Sequence, residues 1–243
     1  MVRLQSSLRT RSPEETFSIA LQYTSRFNIS RITDSTWLDR IGIPVFSAIR
    51  PAAVKGSLIV TAGKGMSTSE ARVGAIMESI ELAFSEPGNS ALESVNIPVS
   101  KILDHPDHKF DILDLCPKIG VQIPEDQILA AAPAEDLFCG STVYLPAELL
   151  FIPSLPGMPS YFGYHTNGLA SGNTRAEAAI HGILEVIERD ILSFDFVRDV
   201  SVRVVSDQHL PDTIRDLKNQ IERSGLDLIL RTVINEFSIP FFK

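Results

Sequence analysis

Polar and apolar positions along the chain fall into short runs of period two, interleaved with runs of helical period. Ser12-Pro13-Glu14-Glu15 reads as a helix start: Ser12 can cap, Pro13 takes the first helical position and Glu15 can close a capping box. A short helix is predicted over Pro13–Tyr23. Loose alternation predicts strands at Ile29–Thr33, Gly42–Ile49 and Ser57–Ala62, the last feeding Gly63-Lys64-Gly65. A helix over about Ser69–Phe84 follows, stopped by Pro87-Gly88-Asn89-Ser90. Residues 87–140 read as short helices and loops. Strands are predicted at Ser141–Pro146 and Leu149–Pro153, then a Pro/Gly/Ser-rich loop to Tyr161 and a second long helix over about Ala176–Phe194. A strand at Val202–Val205, a helix at Asp212–Arg223 and a strand at Leu226–Val233 follow. The closing stretch Phe237–Lys243 is apolar and reads as the opening of another strand, so the sequence is expected to be a piece of a longer protein.

The two long helices are copies of one motif. Gly65-Met66-Ser67-Thr68-Ser69-Glu70-Ala71 leads into Ile76-Met77-Glu78-Ser79-Ile80-Glu81, and Gly172-Asn173-Thr174-Arg175-Ala176-Glu177-Ala178 leads into Ile183-Leu184-Glu185-Val186-Ile187-Glu188. Gly65 and Glu81 both lie 107 residues before their counterparts, Gly172 and Glu188. The internal repeat spans about 57–86 and 164–194. The expected fold is α+β, a single domain over 1–243 incomplete at its C-terminus, with mixed sheets and pseudo-twofold strand–acidic-helix units.

Composition narrows the chemistry. A net charge of −8 without a Lys/Arg block argues against nucleic acid as a partner. No apolar run is long enough to span a bilayer, and the first residues lack the apolar stretch of a signal peptide, so a cytoplasmic protein without membrane contact is expected. The two cysteines, Cys116 and Cys139, share no metal-type spacing and read as reduced thiols. Asp104-His105-Pro106-Asp107-His108 looks like a metal cluster but is broken by proline and reads as a surface loop. Trp37 reads as core.

The acidic helices carry the strongest chemical signal. At 100° per residue, His181, Glu185 and Glu188 lie within roughly 80° of Glu177, with Ile180, Ile183, Leu184, Ile187 and Ile191 as the adjoining core stripe. In the first copy Glu78 and Glu81 share a face, and Ile76, Ile80 and Ala83 form the apolar side. A solvated acidic face is the plain alternative. Stacked like charges are unfavourable on a helix, and only Arg189 relieves Glu185, whereas Leu82 stands at the equivalent place after Glu78. Mg²⁺ takes one or two carboxylates with phosphate oxygens and water, so two such helices predict a Mg²⁺–nucleotide site between them. His181 fits a hydrogen-bond partner better than a ligand. Gly63-Lys64-Gly65 could place a cation and backbone N–H groups near phosphate, although no Walker A sequence is present.

These residues resemble the YcaO-type domain. Arg11-Ser12-Pro13-Glu14-Glu15-Thr16 resembles its N-terminal segment, and Leu38-Asp39-Arg40-Ile41-Gly42-Ile43-Pro44-Val45 with Arg50-Pro51 resembles its next conserved stretch. Asn167-Gly168-Leu169-Ala170-Ser171-Gly172-Asn173-Thr174, with Glu185-Val186-Ile187-Glu188-Arg189-Asp190, is the most distinctive part. The resemblance implies binding of ATP and Mg²⁺ through an SxxxExxER pattern, here Gly74, Glu78, Glu81 and Leu82, and a QxxxExxER pattern, here His181, Glu185, Glu188 and Arg189. It implies Glu78, Glu81, Glu185 and Glu188 as metal ligands. Lys64, Gly74, Asn173, Glu177, His181 and Arg189 are the implied nucleotide positions, with Arg11 and Ser18 joining them from the N-terminal segment. Gly74 and Leu82 depart from the pattern by a missing hydroxyl and a missing cation.

The implied reaction is ATP-driven activation of a peptide backbone amide: a side chain or external sulfur donor attacks, the oxyanion is phosphorylated and phosphate leaves, giving azolines, thioamides or amidines. Some family members are described as accessory factors in methylthiolation of a ribosomal protein. The implied partners are a peptide or protein substrate and a protein that delivers substrate or sulfur. An unfinished sheet edge adds the expectation of a homodimer. The competing reading is a non-catalytic, truncated remnant that binds nucleotide or a partner.

Overall fold

The computed structural model describes residues 2–3, 8–89, 92–102, 104–105, 110–157, 159–199 and 201–243. The N-terminal arm forms a two-stranded ribbon of β1 (Val2–Arg3) and β2 (Leu8–Arg9). Helix α1 (Pro13–Leu21) begins as its sequence dictates: Ser12 accepts from the Glu15 N–H and the Glu15 carboxylate accepts from the Ser12 N–H, a complete capping box with Pro13 at the first turn.

Strands β3 (Arg31–Asp34), β4 (Val45–Ile49) and β5 (Val60–Lys64) form an antiparallel sheet in the order β3-β4-β5. Helix α2 (Thr68–Ser85) lies across it. The approach is closest at two glycines. A Cβ on Gly63 would stand 2.0 Å from the Ala75 nitrogen and 2.1 Å from the Ala71 oxygen, and one on Gly74 would stand 3.1 Å from the Gly63 Cα. Ala48, Ala71, Ala75, Ile76, Ile80 and Phe46 close the core between sheet and helix. Below it, Arg50 donates to Glu86 at 2.8 Å with both side chains 2% exposed.

A second antiparallel sheet runs β6 (Val95–Pro98), β7 (Ile128–Glu135), β8 (Thr142–Pro146), in that order. Its core gathers Val99, Ile102, Leu129, Ala131 and Phe162. The last region comprises α3 (Arg175–Arg198), β9 (Ser201–Val204), α4 (Asp212–Arg223) and β10 (Arg231–Val233), with β9 and β10 paired antiparallel.

The repeat survives in local geometry. Ser67 caps α2 by accepting from the Glu70 N–H at 3.3 Å, and Thr174 caps α3 by accepting from the Glu177 N–H at 3.1 Å. Those two pairs are again 107 residues apart. Where the first copy enters its helix from strand β5, the second enters from turns: Gly168 has φ +79° and a Cβ on Gly182 would meet its carbonyl oxygen at 2.7 Å. So α3 too is approached closely by backbone at a glycine.

Several expectations need correction. Strands β6 and β7 lie inside the stretch predicted to be irregular. Residues 129–132 of β7 are buried in succession, which erases period-two alternation, and alanines with a central Pro133 carry no strand signal. Pro133 pairs with Tyr144 beyond the last β6 pair, Val95 with Ala131, where one side of β7 is open to a residue lacking an N–H. Leu149–Pro153 is not a strand: a single 3₁₀ turn occupies Ala147–Leu149, and Phe151 and Ile152 are buried side chains of the segment after it. Trp37 is 76% exposed instead of core, its ring lying over Gly42. The predicted core stripe of α3 is buried at Ile191 only, while Ile180, Ile183 and Leu184 stand about half exposed. Pro106, Asp107 and His108 lie outside the described residues. Among the described residues, no helix is long and apolar enough to cross a membrane.

Candidate functional site

The N-terminal arm, the β5–α2 unit and the α3 copy meet around a cavity of about 550 Å³. Its acidic wall comes from both helices. Glu78 and Glu81 project from α2, and Glu185 from α3. Lys64, at the end of β5, lines the same space, as does Arg11 from the arm. Gly74, Asn173, Glu177, His181 and Arg189 complete the expected residues found there.

Each carboxylate is held by a donor from another segment. Glu78 Oε2 accepts from the Ala62 N–H at 3.3 Å. Glu81 Oε1 accepts from the Ser171 hydroxyl, so a side chain of one repeat is tied to the turn of the other. Glu185 Oε2 accepts from the Gly168 N–H at 3.1 Å, and its other oxygen faces Arg189 at 3.4 Å. The Asn167-Gly168 turn thus positions a carboxylate of α3.

The electrostatics of the two α2 carboxylates are unusual. Burial pushes the Glu78 carboxyl above its ordinary range, opposed by the Ala62 N–H and Lys64 and reinforced by Glu185. Burial likewise pushes Glu81 up, opposed by Ser171 and by the charge of His181 and reinforced by Glu78. Two crowded carboxylates, each raised by desolvation and by a like neighbour, are a donor set short of positive charge. Three carboxylate groups facing one space match the oxygen preference of a hard divalent cation, and the cationic side chains on the same walls match phosphate oxygens. The residues present therefore fit Mg²⁺ with a nucleotide.

Glu177 is tuned the opposite way. Burial works to raise it, but hydrogen bonds from Thr10 and Asn173 and the charge of Arg9 carry it below the usual carboxylate range. Thr10 donates both its N–H and its hydroxyl, Arg9 lies 3.3 Å away, and Asn173 Nδ2 donates at 3.3 Å. Asn173 is fixed in turn by the Thr16 hydroxyl at 3.0 Å.

Two expected residues stand apart. Ser18 is on the exposed side of α1 and Glu188 on the exposed side of α3, and neither lines the cavity. Ser18 follows Thr16 by two residues, roughly 200° round the helix, so only one of the two hydroxyls can face inward, and it is Thr16. Glu188 lies a further ~4.5 Å along the α3 axis from Glu185. Arg9, Thr10, Thr16 and Ser171 are site residues that the sequence reading passed over. Ser171 sat inside the quoted signature, and Thr16 ended the quoted N-terminal segment.

Comparison with known proteins agrees with this architecture. The family described as YcaO cyclodehydratase, ATP- and Mg²⁺-binding, matches residues 62–243. An uncharacterized protein of Methanothermobacter thermautotrophicus is 37% identical over 90% of this chain and 56% of its own length. The structure of YcaO from Methanopyrus kandleri bound with AMPPCP and Mg²⁺ superposes with a TM-score of 0.71 at 27% identity, covering 96% of this chain and 57% of that one. A heterocyclase in complex with substrate and cofactor gives a TM-score of 0.77 at 18% identity, covering 99% of this chain and 37% of that one, a likeness of fold. The chain thus spans little more than half the length of the relative and of the archaeal structure. With three quarters of its length matched by the family and its duplicated acidic helices facing one cavity, the chain belongs to the YcaO family.

Proposed function

We propose that the cavity binds Mg·ATP and that the protein containing this chain uses it to activate backbone amides of a peptide or protein, giving azoline rings or thioamides. The observation that carries the reading is the convergence of Glu78, Glu81 and Glu185 from both repeats on a space also lined by Lys64, Arg11 and Arg189. Glu78, Glu81 and Glu185 would hold Mg²⁺, with Glu188 the outlying member of the set and Ser18 included on the family pattern alone. Mg²⁺ supplies charge stabilisation to a phosphoryl group in transfer. Lys64 and Arg11 would bind phosphate oxygens. The Glu177 network, anchored by Thr10 and Asn173, holds the N-terminal arm against the α3 copy and so shapes the wall that orients the nucleotide. A partner that presents the substrate or sulfur donor and a homodimeric, cytoplasmic assembly belong to the same proposal; the exposed apolar residues Leu58, Ile59 and Val60 by strand β5 support self-association.

A second reading, nucleotide binding without turnover, is favoured by Gly74 and Leu82. Both line the cavity at positions where the family pattern has a hydroxyl and a cation, and Leu82 is 3% exposed. Mg·ATP should raise the melting temperature of the wild type and not that of Glu78→Ala. Loss of the difference would overturn the site. Phosphate release by the wild type, abolished in the variant, would separate the first reading from the second.

A further inference from the structure

A second polar cluster lies outside the cavity, where the hairpin that joins β7 to β8 meets His105 from the segment after β6. His105, Asp136 and Cys139 bring a ring nitrogen, a carboxylate oxygen and a sulfur within 4.8 Å of one another. The segment containing His105 reads from sequence as a surface loop, yet the His105 side chain is 1% exposed. Its Nε2 lies 3.3 Å from Cys139 Sγ and 3.8 Å from Asp136 Oδ2.

We propose that His105, Asp136 and Cys139 form a binding site for a zinc-class divalent cation. With Zn–S near 2.3 Å and Zn–N near 2.0 Å, the S–N edge of a tetrahedral site is roughly 3.5 Å, and its N–O edge roughly 3.3 Å. The observed separations need only small side-chain adjustments to reach those edges. Thiolate plus imidazole selects Zn²⁺ over Mg²⁺ or Ca²⁺, which prefer oxygen alone. Two of the three ligands sit on one tight turn. The Asp136 N–H donates to the Ser141 carbonyl at 2.9 Å, the Gly140 N–H donates to the Asp136 carbonyl at 2.8 Å, and Gly140 takes φ +73° to close it. The turn also orients its own carboxylate: Asp136 Oδ1 accepts from the Phe138 and Cys139 N–H groups at 2.7 and 3.2 Å, leaving Oδ2 on the His105 side. Such outer hydrogen bonds fix a ligand before metal arrives. Cys139 is exposed and Ser141 Oγ lies 3.0 Å from its sulfur, so the fourth position opens to water or to that hydroxyl. Three protein ligands and one open position is the arrangement of a zinc that binds or polarises a further molecule.

The test is Co²⁺ titration of the chelator-treated full chain, with Zn²⁺ in competition. The expected result is one equivalent bound, a thiolate-to-cobalt charge-transfer band, and displacement by Zn²⁺. The band should vanish in Cys139→Ser, persist in Cys116→Ser and weaken by roughly tenfold or more in affinity in His105→Asn. Cys139 is exposed, so Cys139→Ser should still fold, and its unchanged melting temperature without metal checks this. Absence of the band in the wild type, or a band undiminished in Cys139→Ser, would overturn the proposal. A wild-type sulfur that is alkylated at the same rate with and without Zn²⁺ would overturn it as well.

Discussion

Thr10 gives both its backbone N–H and its hydroxyl to a single oxygen of Glu177, at 3.0 and 2.7 Å, across 167 residues of chain. The bond joins the N-terminal arm to the first turn of α3 and closes one side of the cavity. Thr10→Val removes the hydroxyl and keeps the shape. Calorimetric titration of Mg·ATP should show affinity lower by roughly tenfold, about 1.4 kcal/mol. Unchanged affinity would mean that the arm does not shape the site.

Acidification should weaken Mg·ATP binding at a higher pH than ordinary glutamates would require. Glu78 and Glu81 have raised pKa values, first through burial, so they are partly protonated in the window just above the usual range near 4.5. In that window the folded state holds protons that the unfolded chain has released, and stability falls as pH rises through it. Glu81→Gln should therefore melt higher than the wild type at neutral pH without Mg²⁺, while binding Mg·ATP worse. A variant that melts lower and binds equally well would contradict the assignment.

Glu185→Ala and Glu188→Ala should separate the inner from the outlying carboxylate. The first removes an acceptor of the Gly168 N–H inside the cavity, the second an exposed side chain. Loss of Mg·ATP affinity should be at least about tenfold for Glu185→Ala and clearly smaller for Glu188→Ala, read by the same titration. Equal losses would show that the site extends further along α3 than its cavity.

Gly63→Ala should be among the most damaging small changes. The new methyl would meet backbone of α2 at 2.0 and 2.1 Å, and neither atom is the end of a flexible side chain. Forcing the helix from the sheet should cost at least about 1–3 kcal/mol in chemical denaturation. A neutral result would mean that α2 sits further from β5 than described.

Glu86→Ala leaves the Arg50 guanidinium buried without its carboxylate, which should cost roughly 3–5 kcal/mol. Arg50→Met with Glu86→Leu should recover most of that loss, because a buried ion pair is worth little against apolar residues of similar volume. A double variant as unstable as the single one would point to a packing role instead.

What the sequence revealed followed from how local its causes were. The capping box at Ser12 and Glu15 and the acidic repeats are written in residues a few positions apart, and α1, α2 and α3 are where those signals place them. Of the carboxylates that helical spacing and family pattern named, Glu78, Glu81 and Glu185 line the cavity, whereas Glu188, and with it Ser18 of α1, lie outside it. Strand β7 was hidden because burial on both faces removes alternation. Trp37 was misread because its ring lies against Gly42 at the surface, where Gly42 leaves it room, and stays 76% exposed. The donors Thr10, Ser171 and Gly168 reach carboxylates 167, 90 and 17 residues away, distances at which no periodicity speaks.

The ties across the repeat have a mechanical consequence. Glu81 of α2 grips Ser171 ahead of α3, and Glu185 of α3 faces the same space, so an occupant held by all of them acts as a splint between the two halves. Filling and stiffening then become a single variable, and slowed amide exchange along α3 would report occupancy as faithfully as any binding isotherm.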